Sequence, residues 1–255
     1  MMRNSAEPQV ILVGGLDPGT GAGVLRDLLT AVELGAEPRV VVTAITEQNA
    51  TRVAGIEPRD GEQVGGALRA ALAQTRSPGV KVGMVATGGV ARALAMTLDA
   101  FAGPVVFDPV LCASSGGSLY RGGRAELFEL AARSTLLTPN LSEAAWLLDR
   151  TVESLADAKQ AARDLVAMGL PAVLVKGGHL RGAACDVLLD HDREHIFTSD
   201  RVAGVSPRGT GCALATAIAV ELVRGHDLAS AVASAKLWLT AKIAGARQVG
   251  DEWHL

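Results

Sequence analysis

The chain has 255 residues, 49% hydrophobic and 20% charged, and shows no repeat, linker or low-complexity tract, so we expect one α/β domain over residues 1–255. A formal net charge of −3 without a basic block, and 3% aromatic residues, argue against nucleic-acid binding. No apolar run reaches the roughly 18 residues that a membrane span needs. Three cysteines without metal-ligand spacing favour the cytoplasm over a disulfide framework, and Cys112 and Cys185 are expected in the core.

Short β-branched runs alternate with helical patterns along the chain. Strands are predicted at residues 10–13, 40–45, 79–83, 105–107, 136–137 and 173–175. Helices are predicted at residues 24–34, 61–74, 90–101, 155–168, 212–224 and 228–246, with Ser154 as an N-cap. This alternation indicates a mostly parallel sheet with helices on both faces. A late hairpin of residues 186–189 and 195–197 predicts an antiparallel addition at one edge.

Polar residues and glycines cluster where the predicted strands end. In such sheets, ligands bind beyond the carboxyl ends of the strands. The residues that the pattern brings to this edge are Gly14, Gly15, residues 46–49, Met84, Asp108, Asn140, Lys176 and the loop at Gly209. Their convergence is stronger evidence for a site than any single motif.

The glycine-rich segment from Gly14 to Gly23 joins a strand to a helix. It is not a Walker loop, because no Gly-Lys-[Ser/Thr] follows, and it matches the dinucleotide fingerprint poorly. Two interpretations stay open. The segment is a tight connection only, or its backbone approaches a small substrate with Asp17 or Asp27 beside it.

Residues 208–212, with the sequence Arg-Gly-Thr-Gly-Cys, stand directly before an apolar run. Glycines let the backbone approach a ligand closely, and a helix that starts here presents unpaired N–H groups to an anion. We expect the helix N-terminus to lower the pKa of Cys212 below the usual value of about 8.5, which lets the thiol accept a proton. The segment predicts group transfer to or from a phosphate.

Three further segments carry weaker signals. Gln48 ends an apolar strand, where a carboxamide suits the edge of a heterocycle or is simply a polar terminus. Asn140 and Glu143 suit nucleotide phosphate and Mg²⁺, although a carboxylate is also favoured early in any helix. Lys176, among glycines at a strand end, either reaches a phosphate or is solvated, and His179 is expected to be structural.

Seven motifs occur in order at residues 15–27, 44–49, 81–84, 108–110, 138–144, 176–180 and 209–212. They read Gly-x-Asp-Pro-x-x-Gly-Ala-Gly-x-x-x-Asp, Ala-x-x-x-Gln-Asn, Lys-x-Gly-Met, Asp-Pro-Val, Thr-Pro-Asn-Leu-x-Glu-Ala, Lys-Gly-Gly-His-Leu and Gly-Thr-Gly-Cys. With these motifs the chain resembles the hydroxymethylpyrimidine/phosphomethylpyrimidine kinases of thiamine biosynthesis, in the ribokinase-like superfamily. The resemblance implies a three-layer α/β/α fold with a mostly parallel central sheet and an antiparallel edge hairpin.

The resemblance also implies an activity and a set of site residues. The expected enzyme is a homodimer that uses ATP and Mg²⁺ to phosphorylate 4-amino-5-hydroxymethyl-2-methylpyrimidine and usually its monophosphate. Pyrimidine binding is assigned to Gly15, Asp27, Gln48 and Met84. The catalytic group comprises the base Cys212, the anion hole of Gly209, Thr210 and Gly211, and Lys176. Nucleotide binding is assigned to Asn140, Lys176, Arg208 and Gly211, and Mg²⁺ binding to Asp108 and Glu143.

Some positions depart from the family pattern. Residues 206–208 read Ser-Pro-Arg in place of Asn-Thr-His, Ser114 replaces a lysine, and Gly117 replaces an aspartate. One cation near the predicted phosphate site is lost at Ser114 and one is gained at Arg208. Either the second phosphorylation is weakened or relies on other residues, or these loops have varied without effect on activity.

Two other functions compete with the main interpretation. A pyridoxal-type kinase shares the fold and the Gly-Thr-Gly region, and its substrate is also an aromatic ring with a hydroxymethyl group. A catalytically inactive pyrimidine-binding protein on the same scaffold is the alternative from another class. The retention of Cys212, Lys176, Asn140 and Glu143 argues against that alternative.

Overall fold

The structure is a computed structural model that describes residues 7–48, 52–113, 116–178, 180, 183–202, 204–249 and 252–255. Asn49, Ser114 and His179, which the sequence analysis singles out, lie outside the described residues. Within the described part of the chain, no helix has both the length and the apolar character that a bilayer crossing requires.

The described strands follow the predicted order, with additions at both ends of the sheet. They are β1 (Gln9–Leu16), β2 (Glu37–Gln48), β3 (Val53–Pro58), β4 (Gly79–Val82), β5 (Val105–Phe107), β6 (Leu136–Leu137), β7 (Ala172–Val175), β8 (Ala184–Asp190), β9 (Arg193–Ser199), β10 (Arg247–Val249) and β11 (Glu252–His254). The sequence analysis predicts neither β3 nor the small hairpin of β10 and β11. Gly55 and Pro58 make the β3 segment read as a loop, since both residues are depleted in strands.

The described helices confirm the predicted ones, among them a short helix with Glu143 in its first turn, and add one more short helix before it. They are α1 (Gly23–Glu33), α2 (Gly61–Ala73), α3 (Gly88–Leu98), α4 (Arg124–Ala131), α5 (Leu141–Leu148), α6 (Leu155–Ala167), α7 (Thr210–Val223) and α8 (Leu228–Ala244). The predicted N-cap is confirmed, because the Ser154 hydroxyl accepts a hydrogen bond from the Asp157 N–H at 3.1 Å.

The central sheet has nine described strands in the order β3-β2-β1-β4-β5-β6-β7-β8-β9. The pairs from β2 through β7 are parallel, and the predicted hairpin of β8 and β9 adds antiparallel strands beside β7. The opposite edge is antiparallel as well, because β3 turns back along β2. The predicted mixed sheet is therefore confirmed, with a second antiparallel edge that the sequence pattern did not predict.

Two hydrophobic layers cover the two faces of the sheet. Alternating side chains of β5 show the division, since Val105 and Phe107 pack with α2 to α6, whereas Val106 packs with α7 and α8. Helix α7 is buried on most of its surface, from Cys212 to Glu221, because it lies between the sheet and its neighbouring helices α1 and α8. The result is the three-layer α/β/α architecture, with α7 fixed rigidly beneath the carboxyl edge of the parallel strands.

Candidate active site

A cavity of about 640 Å³ opens at the carboxyl edge of the parallel strands. Every site residue that the sequence analysis assigns lies in its lining, including those from strand ends more than a hundred residues apart. These are Gly15, Asp27, Gln48, Met84, Asp108, Asn140, Glu143, Lys176, Arg208, Gly209, Thr210, Gly211 and Cys212. The predicted convergence of the strand ends is therefore found in the structure.

One end of the cavity is formed by β1, β2 and the residues after β4. A Cβ at Gly15 would lie 2.6 Å from the Met84 sulfur, so this position accepts no larger residue without movement of Met84. The Thr43 hydroxyl donates to the Met84 carbonyl at 2.6 Å and fixes that backbone. The buried Gln48 Oε1 accepts no hydrogen bond from any described residue. A buried carbonyl oxygen is normally paired, so this unpaired atom in the cavity lining is an exception.

The glycine-rich turn between β1 and α1 is both a tight connection and part of the cavity wall. Gly23 has φ +63°, and a Cβ there would lie 2.2 Å from the Gly15 carbonyl oxygen. Only glycine adopts this conformation in so little space. The two interpretations that the sequence left open are thus compatible, since Gly14, Gly15, Asp17, Ala22 and Gly23 all line the cavity.

Helices α1 and α7 begin at the cavity, and neither has a side-chain N-cap among the described residues. Helices α2, α3, α5, α6 and α8 have such a cap, whereas α4, which begins after Gly123 away from the cavity, also lacks one. Gly209, just before α7, has φ +73°, and a Cβ there would lie 2.3 Å from the Gly21 carbonyl oxygen. The first N–H groups of α7 are therefore left for a ligand, and together with the helix dipole they favour an anion.

A fully buried ion pair lies beneath the start of α7. Lys81 Nζ donates to Asp27 Oδ2 at 2.7 Å, and both side chains are at most 1% exposed. The Thr216 hydroxyl, from the second turn of α7, donates to Asp27 Oδ1 at 2.9 Å. Both carboxylate oxygens of Asp27 are thus engaged within the protein. Lys81 belongs to one of the sequence motifs, but the sequence analysis gives it no role in the site.

The thiol of Cys212, third residue of α7, is buried at the cavity floor. Burial raises the pKa of Cys212 to about 11, and the carboxylates of Asp27 and Asp108 act in the same direction. The ammonium of Lys81 and a backbone hydrogen bond at Gly23 oppose the shift without reversing it. The expected lowering of this pKa is therefore wrong, because desolvation and two carboxylates outweigh the helix N-terminus.

A second lysine–aspartate pair lies at the ends of β5 and β7. Lys176 Nζ is 2.5 Å from Asp108 Oδ1, which also accepts from the Thr138 hydroxyl at 3.2 Å. Burial disfavours the charge of Lys176, yet Asp108 and Glu143 together raise its pKa above the usual value. A Cβ at Gly211 would lie 3.2 Å from Lys176 Nζ and 3.8 Å from Asp108 Oδ2. The pair therefore faces the backbone at the start of α7.

Asn140 and Glu143 form a reciprocal cap at the start of α5. The Asn140 N–H donates to Glu143 Oε2 at 2.7 Å, and the Glu143 N–H donates to Asn140 Oδ1 at 2.9 Å. Burial raises the pKa of Glu143 to about 7, Lys176 opposes the shift and Asp108 adds to it. The described residues contain no group of three or more side chains with metal-ligand geometry. Two carboxylates are nevertheless enough for Mg²⁺, which keeps several waters and binds through phosphates.

The sequence analysis missed two charged residues at the other end of the cavity. Asp186, at the start of β8, accepts the Gly177 N–H at 2.8 Å through Oδ1 and lies 2.5 Å from Lys236 Nζ through Oδ2. Lys236 lies in the middle of α8, within an otherwise apolar stretch. A lone lysine in such a stretch was the available signal. The pattern of parallel strand ends does not point to either residue, because β8 is antiparallel and begins where β7 ends.

Three smaller expectations meet different outcomes. Cys112 is exposed and lines the cavity, so its assignment to the core is wrong, whereas Cys185 is partly buried against the core. A Cβ at Gly117 would lie 2.9 Å from Val53 on β3, so an aspartate at this position would displace the neighbouring strand. Arg208 Nη2 lies 3.0 Å from Asp17 Oδ2, and this ion pair is mostly buried.

Comparison with known proteins agrees with this geometry. The phosphomethylpyrimidine kinase family model matches residues 17–254. The hydroxymethylpyrimidine/phosphomethylpyrimidine kinase of Streptomyces coelicolor is 35% identical over 245 residues, covering 95% of this chain and 91% of that protein. The phosphomethylpyrimidine kinase structure from Clostridium difficile has a TM-score of 0.79 and 28% identity, covering 93% of this chain and 99% of that chain. Pyridoxal kinase of Staphylococcus aureus, solved with ADP, has a TM-score of 0.86 and 27% identity, with coverages of 97% and 92%. This chain belongs to the phosphomethylpyrimidine kinase family.

Proposed function

We propose that this kinase transfers a phosphoryl group from ATP to the hydroxymethyl group of 4-amino-5-hydroxymethyl-2-methylpyrimidine, and then to the resulting monophosphate, in thiamine biosynthesis. One observation carries the proposal. A single cavity holds both a buried carboxamide oxygen without a hydrogen-bond partner among the described residues, at Gln48, and a helix N-terminus without a side-chain cap, at α7. The first suits a heterocycle and the second suits a transferred phosphoryl group.

The acceptor end of the cavity suits an aminopyrimidine. The Gln48 Oε1 would accept a hydrogen bond from the exocyclic amino group, and the ring would lie against the wall that Gly14, Gly15 and Met84 form. A site built to pair with a polar group rejects analogues that lack it, because its own group is then left unsatisfied. Gln48 therefore supplies specificity, whereas Gly15 and Met84 supply shape.

The opposite end supplies positive charge for phosphoryl transfer. Such transfer depends on positioning and charge stabilisation more than on covalent chemistry. The N–H groups that begin α7 and the ammonium of Lys176 meet the charge that develops on the transferred group. Asn140 lies beside them, and Asp108 with Glu143 would hold the Mg²⁺ of bound ATP together with waters. Bound Mg²⁺ neutralises phosphate charge.

Cys212 is the proposed base for the acceptor hydroxyl. Its thiol is protonated at pH 7, because its pKa is raised to about 11. Only the thiolate accepts the proton of the alcohol. While the pH is below the pKa, the fraction of Cys212 in the thiolate form rises tenfold for each unit of pH increase. We expect turnover to rise between pH 7 and 9, and this rise to depend on Cys212.

Replacement of the thiol tests this role. Cys212→Ala is expected to lower turnover by about 10²- to 10⁴-fold, the usual range for loss of a base, and to remove the rise between pH 7 and 9. ADP binding, measured by calorimetry, should stay within about twofold of the wild type, since the nucleotide contacts are retained. Wild-type turnover in the variant, with an unchanged pH profile, would rule out Cys212 as the base.

The substrate is tested by a coupled ADP-release assay over the pyrimidine alcohol, its monophosphate and pyridoxal. The proposal predicts turnover with both pyrimidines and a lower kcat/KM with pyridoxal. Gln48→Leu should lower kcat/KM for the pyrimidine alcohol by roughly 10-fold or more, because one polar pairing is lost. Calorimetric pyrimidine binding without ADP release from any acceptor would instead indicate an inactive binding protein.

A pyridoxal-type kinase is the second candidate, and one observation favours it. The Staphylococcus aureus pyridoxal kinase superposes with a higher TM-score than the Clostridium difficile enzyme, 0.86 against 0.79. Sequence identity favours the pyrimidine alcohol as the substrate, because relatives at 33–37% identity are named hydroxymethylpyrimidine/phosphomethylpyrimidine kinases. A kcat/KM for pyridoxal above that for the pyrimidine alcohol would reverse the assignment.

We also propose a cytoplasmic homodimer. Exposed apolar side chains on α1 and β2 support an interface there, namely Leu29, Val32, Val40 and Ile45. Light scattering should give twice the chain mass of 26.2 kDa, and Ile45→Lys should shift that mass towards the monomer. A monomeric wild type would contradict the assembly. Cell fractionation tests the location, and recovery outside the cytoplasmic fraction would contradict it.

A further inference from the structure

Two loops from distant parts of the chain meet at the cavity wall. The 17–22 loop (residues 17–22) joins β1 to α1, and the 206–209 loop (residues 206–209) precedes α7. Arg208 Nη2 donates to Asp17 Oδ2 at 3.0 Å, and the two side chains are 13% and 1% exposed. We infer that Arg208 is a positioning residue, which acts through Asp17 to hold the 17–22 loop against the start of α7. The inference rests on the proposed function for its effect on catalysis.

The two loops touch backbone to backbone. A Cβ at Gly209 would lie 2.3 Å from the Gly21 carbonyl oxygen and 3.2 Å from Ala22 Cα. A Cβ at Gly21 would lie 3.1 Å from Arg208 Nη1, so the guanidinium packs over this glycine. The two loops therefore fit closely together at Gly21 and Gly209, and the Arg208–Asp17 ion pair adds a charged contact between them.

Asp17 fixes the shape of its own loop. Its Oδ1 accepts the Gly19 N–H at 2.9 Å, its carbonyl accepts the Thr20 N–H at 3.1 Å, and Thr20 takes φ +58°. Arg26 adds a bond from α1, since its Nη2 donates to the Thr20 carbonyl at 3.3 Å. Loss of Arg208 would leave the buried Asp17 carboxylate without its ion-pair partner, so the loop would have to open to hydrate it.

This arrangement bears on how the chain departs from the family pattern at residue 208. Arg208 adds a cation near the phosphate site, but Asp17 neutralises it at 3.0 Å. A phosphate on the acceptor would have to compete with that carboxylate. Arg208 therefore serves both acceptors equally, by holding the loop between Gly15 and the N-terminus of α7, and is not a receptor for the second phosphate.

The kinetic test uses Arg208→Gln, Asp17→Asn, the double variant and Arg208→Lys. Each of the first two should raise KM about tenfold for the pyrimidine alcohol and its monophosphate alike. KM for ATP should stay within about twofold, because Asp17 already engages the guanidinium that the resemblance assigns to the nucleotide. The double variant should be no worse than either single, because both remove one interaction. Arg208→Lys keeps the charge and should recover part of the loss. Arg163→Gln, which removes an exposed ion pair with Glu194, is the matched control and should change neither KM.

Hydrogen exchange of the substrate-free protein tests, independently of activity, whether the Arg208–Asp17 ion pair holds the 17–22 loop. Amides of the 17–22 loop should exchange faster in Arg208→Gln and in Asp17→Asn than in the wild type, and at the wild-type rate in Arg163→Gln. Unchanged exchange in both loop variants would overturn the inference. So would Asp17→Asn with wild-type kinetics beside an Arg208→Gln defect confined to the monophosphate. If the wild type phosphorylates no pyrimidine, the proposed function fails. The exchange result still shows whether Arg208 and Asp17 hold the 17–22 loop in place.

Discussion

Two lysine–aspartate pairs lie on either side of Cys212, and they differ in how far they can rearrange. In the Lys81–Asp27 pair both side chains are at most 1% exposed, and Thr216 occupies the second carboxylate oxygen. In the Lys176–Asp108 pair the lysine side chain is 13% exposed and faces the start of α7. Both pairs line the cavity, but both oxygens of Asp27 are engaged within the protein, whereas the ammonium of Lys176 is partly exposed and faces the start of α7.

The difference indicates two roles. A buried pair whose carboxylate is fully engaged holds parts of the structure in place, and Lys81–Asp27 joins α1, β4 and, through Thr216, α7. In the proposed function, the ammonium of Lys176 would gain a second anion when a phosphate binds, so this pair would have to rearrange. Asp27 stays a predicted pyrimidine ligand, but both its oxygens already have partners within the protein. We therefore expect mutations of the first pair to change stability and those of the second to change turnover.

The largest expected effect comes from Lys81→Met. Removal of one partner leaves the Asp27 carboxylate buried and uncompensated, which costs about 3–5 kcal/mol of unfolding free energy. Urea denaturation measures this loss. The double variant Lys81→Met/Asp27→Asn should regain part of it, because the unpaired charge is gone. Additive losses in the double variant would contradict the assigned ion pair.

Lys176→Met gives the next largest effect, this time on turnover. Loss of one stabilising donor costs about 2.7–4 kcal/mol in the transition state, so kcat should fall roughly 10²- to 10³-fold. The loss in unfolding free energy should be smaller than for Lys81→Met, since Asp108 keeps Thr138 and lies at the cavity. Lys159→Met, at an exposed pair with Glu194, is the matched control. A Lys176→Met variant that is less stable than Lys81→Met and fully active would break the comparison.

The sequence predicts those residues of the candidate site whose position follows from the local strand pattern. Asp108, Asn140 and Lys176 are found together because each follows a parallel strand, and parallel strands end at one edge. Hydrophobic periodicity and strand propensity do not predict an element that is stabilised mainly by tertiary contacts. β3 is stabilised by pairing with β2 despite Gly55 and Pro58.

Long-range electrostatics were also beyond local pattern. The Arg208–Asp17 contact joins residues 191 positions apart. The pKa of Cys212 depends on burial and on two carboxylates from other elements, although its place at a helix N-terminus was predictable. Asp186 and Lys236 were missed for the same reason, since an antiparallel strand and the middle of a helix do not follow the strand-end rule.

The smallest predicted effect separates Glu143 from a carboxylate in the same local position. Glu143 and Glu126 are each the third residue of a helix and accept the N–H of the residue before that helix, at 2.7 and 3.1 Å. Burial raises the pKa of Glu143 to about 7 from the usual 4.5. Hydrogen bonds instead lower the pKa of Glu126, which lies nearer the surface. Between pH 4.5 and 7 the folded protein therefore keeps a proton at Glu143 that the unfolded chain loses.

Stability contributed by Glu143 should consequently fall as pH rises from about 4 to about 8, by about 3 kcal/mol in all, with most of the loss between pH 5 and 7. Urea unfolding of the nucleotide-free and Mg²⁺-free protein, compared with Glu143→Gln, measures the difference, because the amide still accepts the Asn140 N–H but does not titrate. Glu126→Gln should run parallel to the wild type over the same range, since a lowered pKa puts its titration below pH 4.5. Parallel curves for Glu143→Gln would show that Lys176 keeps Glu143 ionised, and would make it part of the Lys176–Asp108 charge cluster at all these pH values.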